Sequence, residues 1–295
     1  MSVPAAYAGV ILIWSTTPLA IQWSAQGAGF AFAVTARMLI GLALCLLLMR
    51  ATRTAFPFTP AARRLYAISG LSLCTSMLLT YWGALHIPSG LISVIFGLSP
   101  LATGVFAALW LHERALTPQR VAGLAIALAG LWAIFGQPWP GDGEATLGTA
   151  AVVAGMALQA LGLVWVKRLN LRASALAITT GSLGVAVPGF VLAWLLIDAA
   201  RLPADLSPRA AAAIVYLGVL GSVVGFTLYY FVIRHLDAGR VALITLITPV
   251  TALLLGQTLN AEFIPARGWT AIALIGAGLA LYEWQALRQL GRPRA

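Results

Sequence analysis

The chain has 295 residues, of which 61% are hydrophobic and only 9% charged. A water-facing surface of ordinary size needs roughly 25% charged residues, which excludes a soluble globular domain. The formal net charge of +10 lies in short patches between apolar runs, without the extended basic face that nucleic-acid binding requires.

Apolar runs of the length that crosses a bilayer, about 20 residues, recur along the whole chain. The predicted spans are residues 4–23, 30–49, 65–85, 89–110 and 120–135, then 147–166, 173–197, 210–233, 239–259 and 269–287. The first run lacks a basic n-region and a small-x-small cleavage site, so it reads as a span and not as a signal peptide. Each run is apolar around its whole girth and none alternates with period two. Helices are then the remaining way to satisfy the backbone in lipid, and a β-barrel is not expected. The fold class predicted is an all-α integral membrane protein with ten transmembrane helices.

Lys and Arg in alternate connections set the orientation. One side takes Arg50, Arg53, Arg63, Arg64, Arg114, Arg120, Lys167, Arg168, Arg172, Arg234, Arg240, Arg288, Arg292 and Arg294, a total of 14. The other side takes only 3, Arg201, Arg209 and Arg267, together with the acids Asp142, Glu144, Asp198 and Asp205. Both termini are therefore expected in the cytoplasm.

A shift of 149 residues lays His86-Ile87-Pro88-Ser89-Gly90 over His235-Leu236-Asp237-Ala238-Gly239, Pro100 over Pro249 and Glu113 over Glu262. Upstream, Leu79 and Tyr81 fall on Leu228 and Tyr230; with one gap Gly130-Leu131 falls on Gly278-Leu279. This ordered series predicts a duplication: 1–138 as a first five-helix repeat, 147–287 as a second, and 288–295 as a basic cytoplasmic tail. Five is odd, so the second copy enters the membrane from the opposite side. Inverted repeats of this kind place a solute site between the halves near mid-membrane.

With this plan, the run Arg37-Met38-Leu39-Ile40, Ser99-Pro100-Leu101 ahead of Leu111-His112-Glu113, and Thr248-Pro249-Val250 ahead of Glu262 resemble the EamA family of the drug/metabolite transporter superfamily. The tryptophan-rich character and Ile13-Trp14-Ser15-Thr16-Thr17-Pro18 are similar to its YddG-like branch. That resemblance implies a bacterial inner-membrane exporter of aromatic and other amino acids around a central cavity. Small relatives of the superfamily couple to protons through a carboxylate in their first helix. Residues 4–23 hold none, so facilitated diffusion is the simpler expectation.

Candidate site residues follow from depth and helical spacing. Arg37 lies about eight residues into its span, roughly 12 Å by helical rise. An arginine at a bilayer centre costs at least about 2.5–3.5 kcal/mol, so it must face protein or water. It could pair with a substrate carboxylate, snorkel to the outer interface, or bond a neighbouring helix. The resemblance, which places a basic residue here whatever the substrate, weights the structural role. Pro100 and Pro249, each of which frees a helical carbonyl, are candidate hinges. Ser93, Phe96 and Pro100 share a face at i, i+3, i+7, as do Thr245 and Pro249, while Trp14, Thr17 and Pro18 share one on the first helix. Trp14, Tyr81, Trp82, Phe96, Trp165, Phe226, Tyr229 and Tyr230 are candidates to wall an apolar side-chain pocket, with helix packing as the alternative for each ring. Trp23, Trp132, Trp139 and Trp269 fall near interfaces and suit an aromatic belt.

Glu113 and Glu262 are expected as caps or ion pairs, and Glu283 as a partner of Arg288 or a neighbouring segment. Cys45 and Cys74 read as buried free thiols. His86, His112 and His235 share no helix at metal spacing, so no metal and no cofactor are expected. No nucleophile motif or paired intramembrane carboxylate supports an enzyme. Within transport the rival is a multidrug or lipophilic-cation exporter, which would require a cavity carboxylate. The expected partners are a small amino-acid substrate and membrane lipid, with no nucleic acid, the chain being a monomer or weak homodimer.

Overall fold

The computed structural model describes residues 2–288, except 112–116, 136–142, 170–172, 204 and 237, and except the side chains of 134, 135, 226, 230, 233, 234, 238, 239 and 267. His112, Glu113, Trp139, Asp142, Asp237, the side chains of Phe226 and Tyr230, and the tail beyond Arg288 thus lie outside the described residues.

The described chain is helical from end to end: α1 (Val3–Ala28), α2 (Phe30–Thr52), α3 (Pro60–Gly83), α4 (Ser89–Gly97), α5 (Ser99–Trp110), α6 (Pro118–Phe135), α7 (Gly143–Leu169), α8 (Ala175–Ile197), α9 (Pro208–Tyr216), α10 (Gly225–His235), α11 (Ala238–Asn260), α12 (Ala266–Tyr282) and the short α13 (Trp284–Arg288). A π-helical segment, Leu217–Val224, joins α9 to α10. Local chemistry sets several starts. Thr59, Ser174 and Ser207 accept from the amides of Ala62, Ala177 and Ala210 at 3.2, 3.1 and 3.2 Å, and proline takes the first helical position in α3 and α9. Only Gly29 separates α1 from α2. Its φ of +80° favours glycine, and a Cβ there would come within 3.1 Å of the Asp198 carboxylate that caps Phe32 N at 2.9 Å.

Among the described residues 8 helices are long and apolar enough to cross a bilayer, with α4–α5 and α9–π–α10 each counting as one. The remaining two predicted spans correspond to α6, of 18 residues, and α12, of 17. Large apolar side chains such as Leu12, Leu47, Leu71, Trp132 and Leu196 face outward, a surface suited to lipid and not to water. Phe190, Leu91, Ile95, Leu217 and Leu253 fill the interior.

The two halves of the chain interleave. α3 packs on α7 and α8, α2 on α8 and the π segment, α4 on α11, α5 on α7, and α1 on α9, α10 and α11. α6 runs along α12 so closely that a Cβ on Gly123 would come 2.6 Å from Gly278 O, and one on Gly278 2.5 Å from Ala127 N. Such backbone approach is how membrane helices gain contact without a hydrophobic drive between them. The starts of α3, α4 and α6, at Pro60, Ser89 and Pro118, have counterparts at Pro208, Ala238 and Ala266, separations of 148, 149 and 148 residues.

Two elements depart from continuous spans. The fourth predicted span breaks at Leu98 into α4 and α5, and Pro100 stands at the start of α5. The eighth carries the π segment, a widening that no sequence periodicity announced. Pro249, in contrast, sits inside the unbroken α11.

Candidate functional site

A cavity of about 810 Å³ runs from the middle of the bundle to the end bearing Lys167, Arg120 and Glu283. Its walls come from α1, α2, α3, α4, α5, α6, α7, α10, α11 and α12 and from the π segment. Of the predicted site residues, Trp14, Thr17, Arg37, Ser93, Phe96, Thr245 and Pro100 line it. The face of α4 read from i, i+3, i+7 spacing therefore does point inward.

Arg37 decides the character of the mid-cavity. It is only 6% exposed, so it does not snorkel to an interface. Its Nε donates to Ser222 Oγ at 3.3 Å and its Nη1 to Tyr81 Oη at 3.4 Å. Ser222 in turn donates to Leu217 O at 2.9 Å, the carbonyl five residues back in the π segment. The π widening thus seats the hydroxyl that holds the guanidinium, a use of π segments met at functional sites. Among the described residues no carboxylate stands within ion-pairing distance of Arg37.

Tyr81 is fully buried behind Arg37 and supports the site without lining it. Trp165 does not line the cavity either; the Arg168 guanidinium lies over its ring at 5.5 Å. The Tyr230 side chain lies outside the described residues, but its neighbour Tyr229 lines the cavity and meets Trp14 with ring centroids 4.8 Å apart. Tyr229, one of the rings expected to wall the pocket, does line it, whereas Thr248, Thr103, Gln159, Lys167, Arg120, Tyr282 and Glu283 line it without having been expected to. For Thr248 the signal was present, since it follows Thr245 by three residues on the same helix. Glu283 lies beside Arg120, whose guanidinium sits 5.2 Å over the Tyr282 ring, while Arg288 lies over Trp284 at 5.2 Å.

Of the candidate hinge prolines, Pro249 packs from α11 against α4. A Cβ on Gly97 would come 3.2 Å from Pro249 Cγ. The Phe96 carbonyl that Pro100 leaves without an amide donor is taken by Ser99 Oγ at 2.6 Å.

Away from the charged mouth, a polar cluster joins the ends of α1 and α11 to the start of α4. Asn260 Nδ2 donates to Gln22 Oε1 and Glu262 Oε1, both at 2.9 Å, and Asn260 Oδ1 accepts from Trp23 Nε1 at 2.9 Å. Gln22 Nε2 donates to Ile87 O at 3.1 Å, and Gly90 N donates to Glu262 Oε2 at 3.4 Å. Glu262 is thus the cap that the sequence predicted, set at the N-terminus of α4. His86 Nδ1 stands 3.5 Å from Glu144 Oε2. Cys45 and Cys74 are free and buried, and the described residues include no group of His, Cys, Asp and Glu that could hold a metal.

The family model of the EamA-like transporters matches residues 5–136 and again 146–284. The chain belongs to the EamA-like transporter family. The two matches place one EamA unit in each half and make the chain a multi-pass membrane protein of a transporter family. It is 28% identical over 198 residues to the inner membrane transporter YedA of Escherichia coli, a match covering 64% of this chain and 60% of that one. Over nearly full length it is 25% identical to protein PagO of Salmonella typhimurium (92% and 90% covered) and 25% identical to the probable terminal-alkyne amino-acid exporter of Streptantibioticus cattleyicolor (96% and 95% covered). A solved crystal structure matches with a TM-score of 0.64 over 99% of each chain at 22% identity, a likeness of fold.

Proposed function

We propose that this EamA-like transporter exports amino acids, favouring aromatic and other large neutral ones, by alternating access through the central cavity. The observation that carries the reading is the cavity itself. Trp14, Tyr229, Phe96, Ile21, Met77 and Leu163 supply apolar walls, while Arg37, Thr17, Ser93, Thr245 and Thr248 supply a few polar groups, the mixture expected of a site for an amphipathic small molecule. The relative named as a probable amino-acid exporter, similar along almost the whole chain, supports the same class.

Ten spans in two inverted halves, in a bacterial inner membrane with both termini cytoplasmic, complete the proposal. The helix pairings support it: exchanging each helix for its counterpart turns α3 on α7 into α10 on α1, and α5 on α7 into α11 on α1. In that orientation the cavity faces the cytoplasm and the Asn260 cluster closes the outside. Pro100, Pro249 and the break at Leu98 are the hinge points at which α4–α5 and α11 bend when the halves exchange conformations. No carboxylate reaches the middle of the cavity among the described residues, which favours facilitated diffusion over proton antiport. A lipophilic-cation exporter is disfavoured by the same absence.

Counterflow in proteoliposomes tests the assignment. Vesicles loaded with phenylalanine should accumulate labelled phenylalanine and tryptophan above protein-free controls. No exchange with any amino acid tested would sink the substrate class.

A further inference from the structure

The charged groups that line the cavity are Arg37, Arg120, Lys167 and Glu283, three cations against one anion. The anion stands beside Arg120 at the cavity mouth, leaving Arg37 alone in the middle. A guanidinium carries five N–H donors. Two are used, toward Ser222 and Tyr81, and the rest of the group meets no carboxylate among the described residues. Gly221 lines the cavity against the free edge: a Cβ there would stand 3.6 Å from Nη2 and 3.8 Å from Thr17 Oγ1. The glycine therefore leaves open a seat bounded by Nη2 and the Thr17 hydroxyl.

A cation that is 94% buried without a counter-charge is poorly solvated. An incoming carboxylate corrects this with charge-assisted hydrogen bonds, which are about twice as strong as neutral ones. Among the described residues no carboxylate awaits an ammonium in the middle of the cavity, since the lining one, Glu283, stands at the mouth beside Arg120. Thr17 and Thr245 donate their protons to Ile13 O and Ala242 O, so each offers only a neutral oxygen that cannot offset the dehydration of a cation.

We infer that the cavity selects its solute by a carboxylate seated on Arg37 at Gly221, and that the amine is dispensable. The substrate class is then apolar and aromatic monocarboxylates, of which large neutral amino acids are one subset. This inference rests on the transport reading above and names the part of the solute that the cavity recognises.

The test is counterflow by the full-length chain in proteoliposomes, with labelled phenylalanine, 3-phenylpropanoate and 2-phenylethylamine each used in turn. These share the ring and differ in head group. Phenylalanine and phenylpropanoate should both exchange and compete with half-inhibition within about threefold of each other. Phenylethylamine should not compete at tenfold higher concentration. Arg37→Gln should weaken both carboxylates by about tenfold to a hundredfold, the range of a charge-assisted contact. Because that change also removes the bonds to Ser222 and Tyr81, Gly221→Ala is the second variant. Its methyl makes ordinary contact and narrows the seat, so it should raise KM for both carboxylates about threefold or more with Vmax retained. Phenylethylamine competing as well as phenylalanine, phenylpropanoate failing to compete, or Gly221→Ala leaving KM unchanged would each overturn the inference. If phenylpropanoate exchanges and no amino acid does, the amino-acid reading falls and this one stands. If phenylalanine exchanges and phenylpropanoate does not, the reverse holds; if neither exchanges, both fall.

Discussion

The hydroxyl of Tyr81 shows how much of this site is held from behind. Tyr81 touches no cavity space, yet it is one of the two side chains that keep the Arg37 guanidinium oriented. Tyr81→Phe removes only that oxygen and leaves a buried charged N–H without its acceptor, a loss of about 1–3 kcal/mol. If Arg37 meets the solute, the variant should raise KM for phenylalanine by about threefold to tenfold while the protein still inserts, measured from the concentration dependence of counterflow. An unchanged KM would mean that Arg37 is held by Ser222 alone. The example also marks what residue-level reading reaches. Arg37 was legible as an anomaly because an arginine in an apolar run demands an explanation. Trp14, Ser93 and Phe96 were legible because helical spacing put them on one face with a proline. Trp165 was chosen on depth alone, without a face, and the helix turns it toward Arg168 instead. Spacing within a helix carries facing information; depth along it does not.

At the scale of elements, the Asn260 cluster ties α1 to α11 and to the start of α4. Asn260 stands at its centre, the last residue of α11, and the chain turns back through Ala261, whose φ is +50°, to bring Glu262 over α4. Asn260→Ala deletes three hydrogen bonds at once. Each contributes about 0.5–1.5 kcal/mol, so the balance between outside-closed and outside-open states should move by about 2 kcal/mol, or roughly thirtyfold in population. The measurement is labelling of Ile21→Cys by an impermeant maleimide added from outside, with Cys45 and Cys74 replaced by serine. The rate should rise about tenfold or more on adding Asn260→Ala. An equal rate would show that these bonds do not hold the cavity shut. α3 and α9 begin at the capped prolines Thr59-Pro60 and Ser207-Pro208, ahead of the predicted starts at 65 and 210, because hydropathy marks the apolar run and not the polar first turn. The break at Leu98 and the π segment were not readable, because both lie in uniformly apolar stretches where neither composition nor period changes. The π segment is set instead by tertiary contact: α2 packs against it, and a Cβ on Gly218 would come 2.7 Å from Ile40 Cγ2.

For the whole molecule, duplication and charge bias were readable because each repeats many times along the chain, so single errors do not matter. How the halves interlock was not, since contacts such as α3 on α7 join residues far apart in sequence through surfaces of one apolar composition. That interlocking has an energetic consequence for coupling. Proton antiport requires a group whose protonation competes with the solute at the same place. Around the mid-cavity the described residues offer hydroxyls, rings and Arg37, and the one lining carboxylate, Glu283, stands at the mouth beside Arg120. On the proposed uniport, a solute crosses with no proton moving in exchange. Phenylalanine counterflow should accordingly stay within about twofold when a pH gradient of either sign is imposed at fixed membrane potential, because no titrating group then links the two fluxes. Stimulation beyond about tenfold by an inward-acid gradient would place a proton in the cycle, and Glu283 would be the group to change first. If Glu283→Gln abolished that stimulation while sparing exchange at equal pH, the mouth and not the middle of the cavity would be the coupling site.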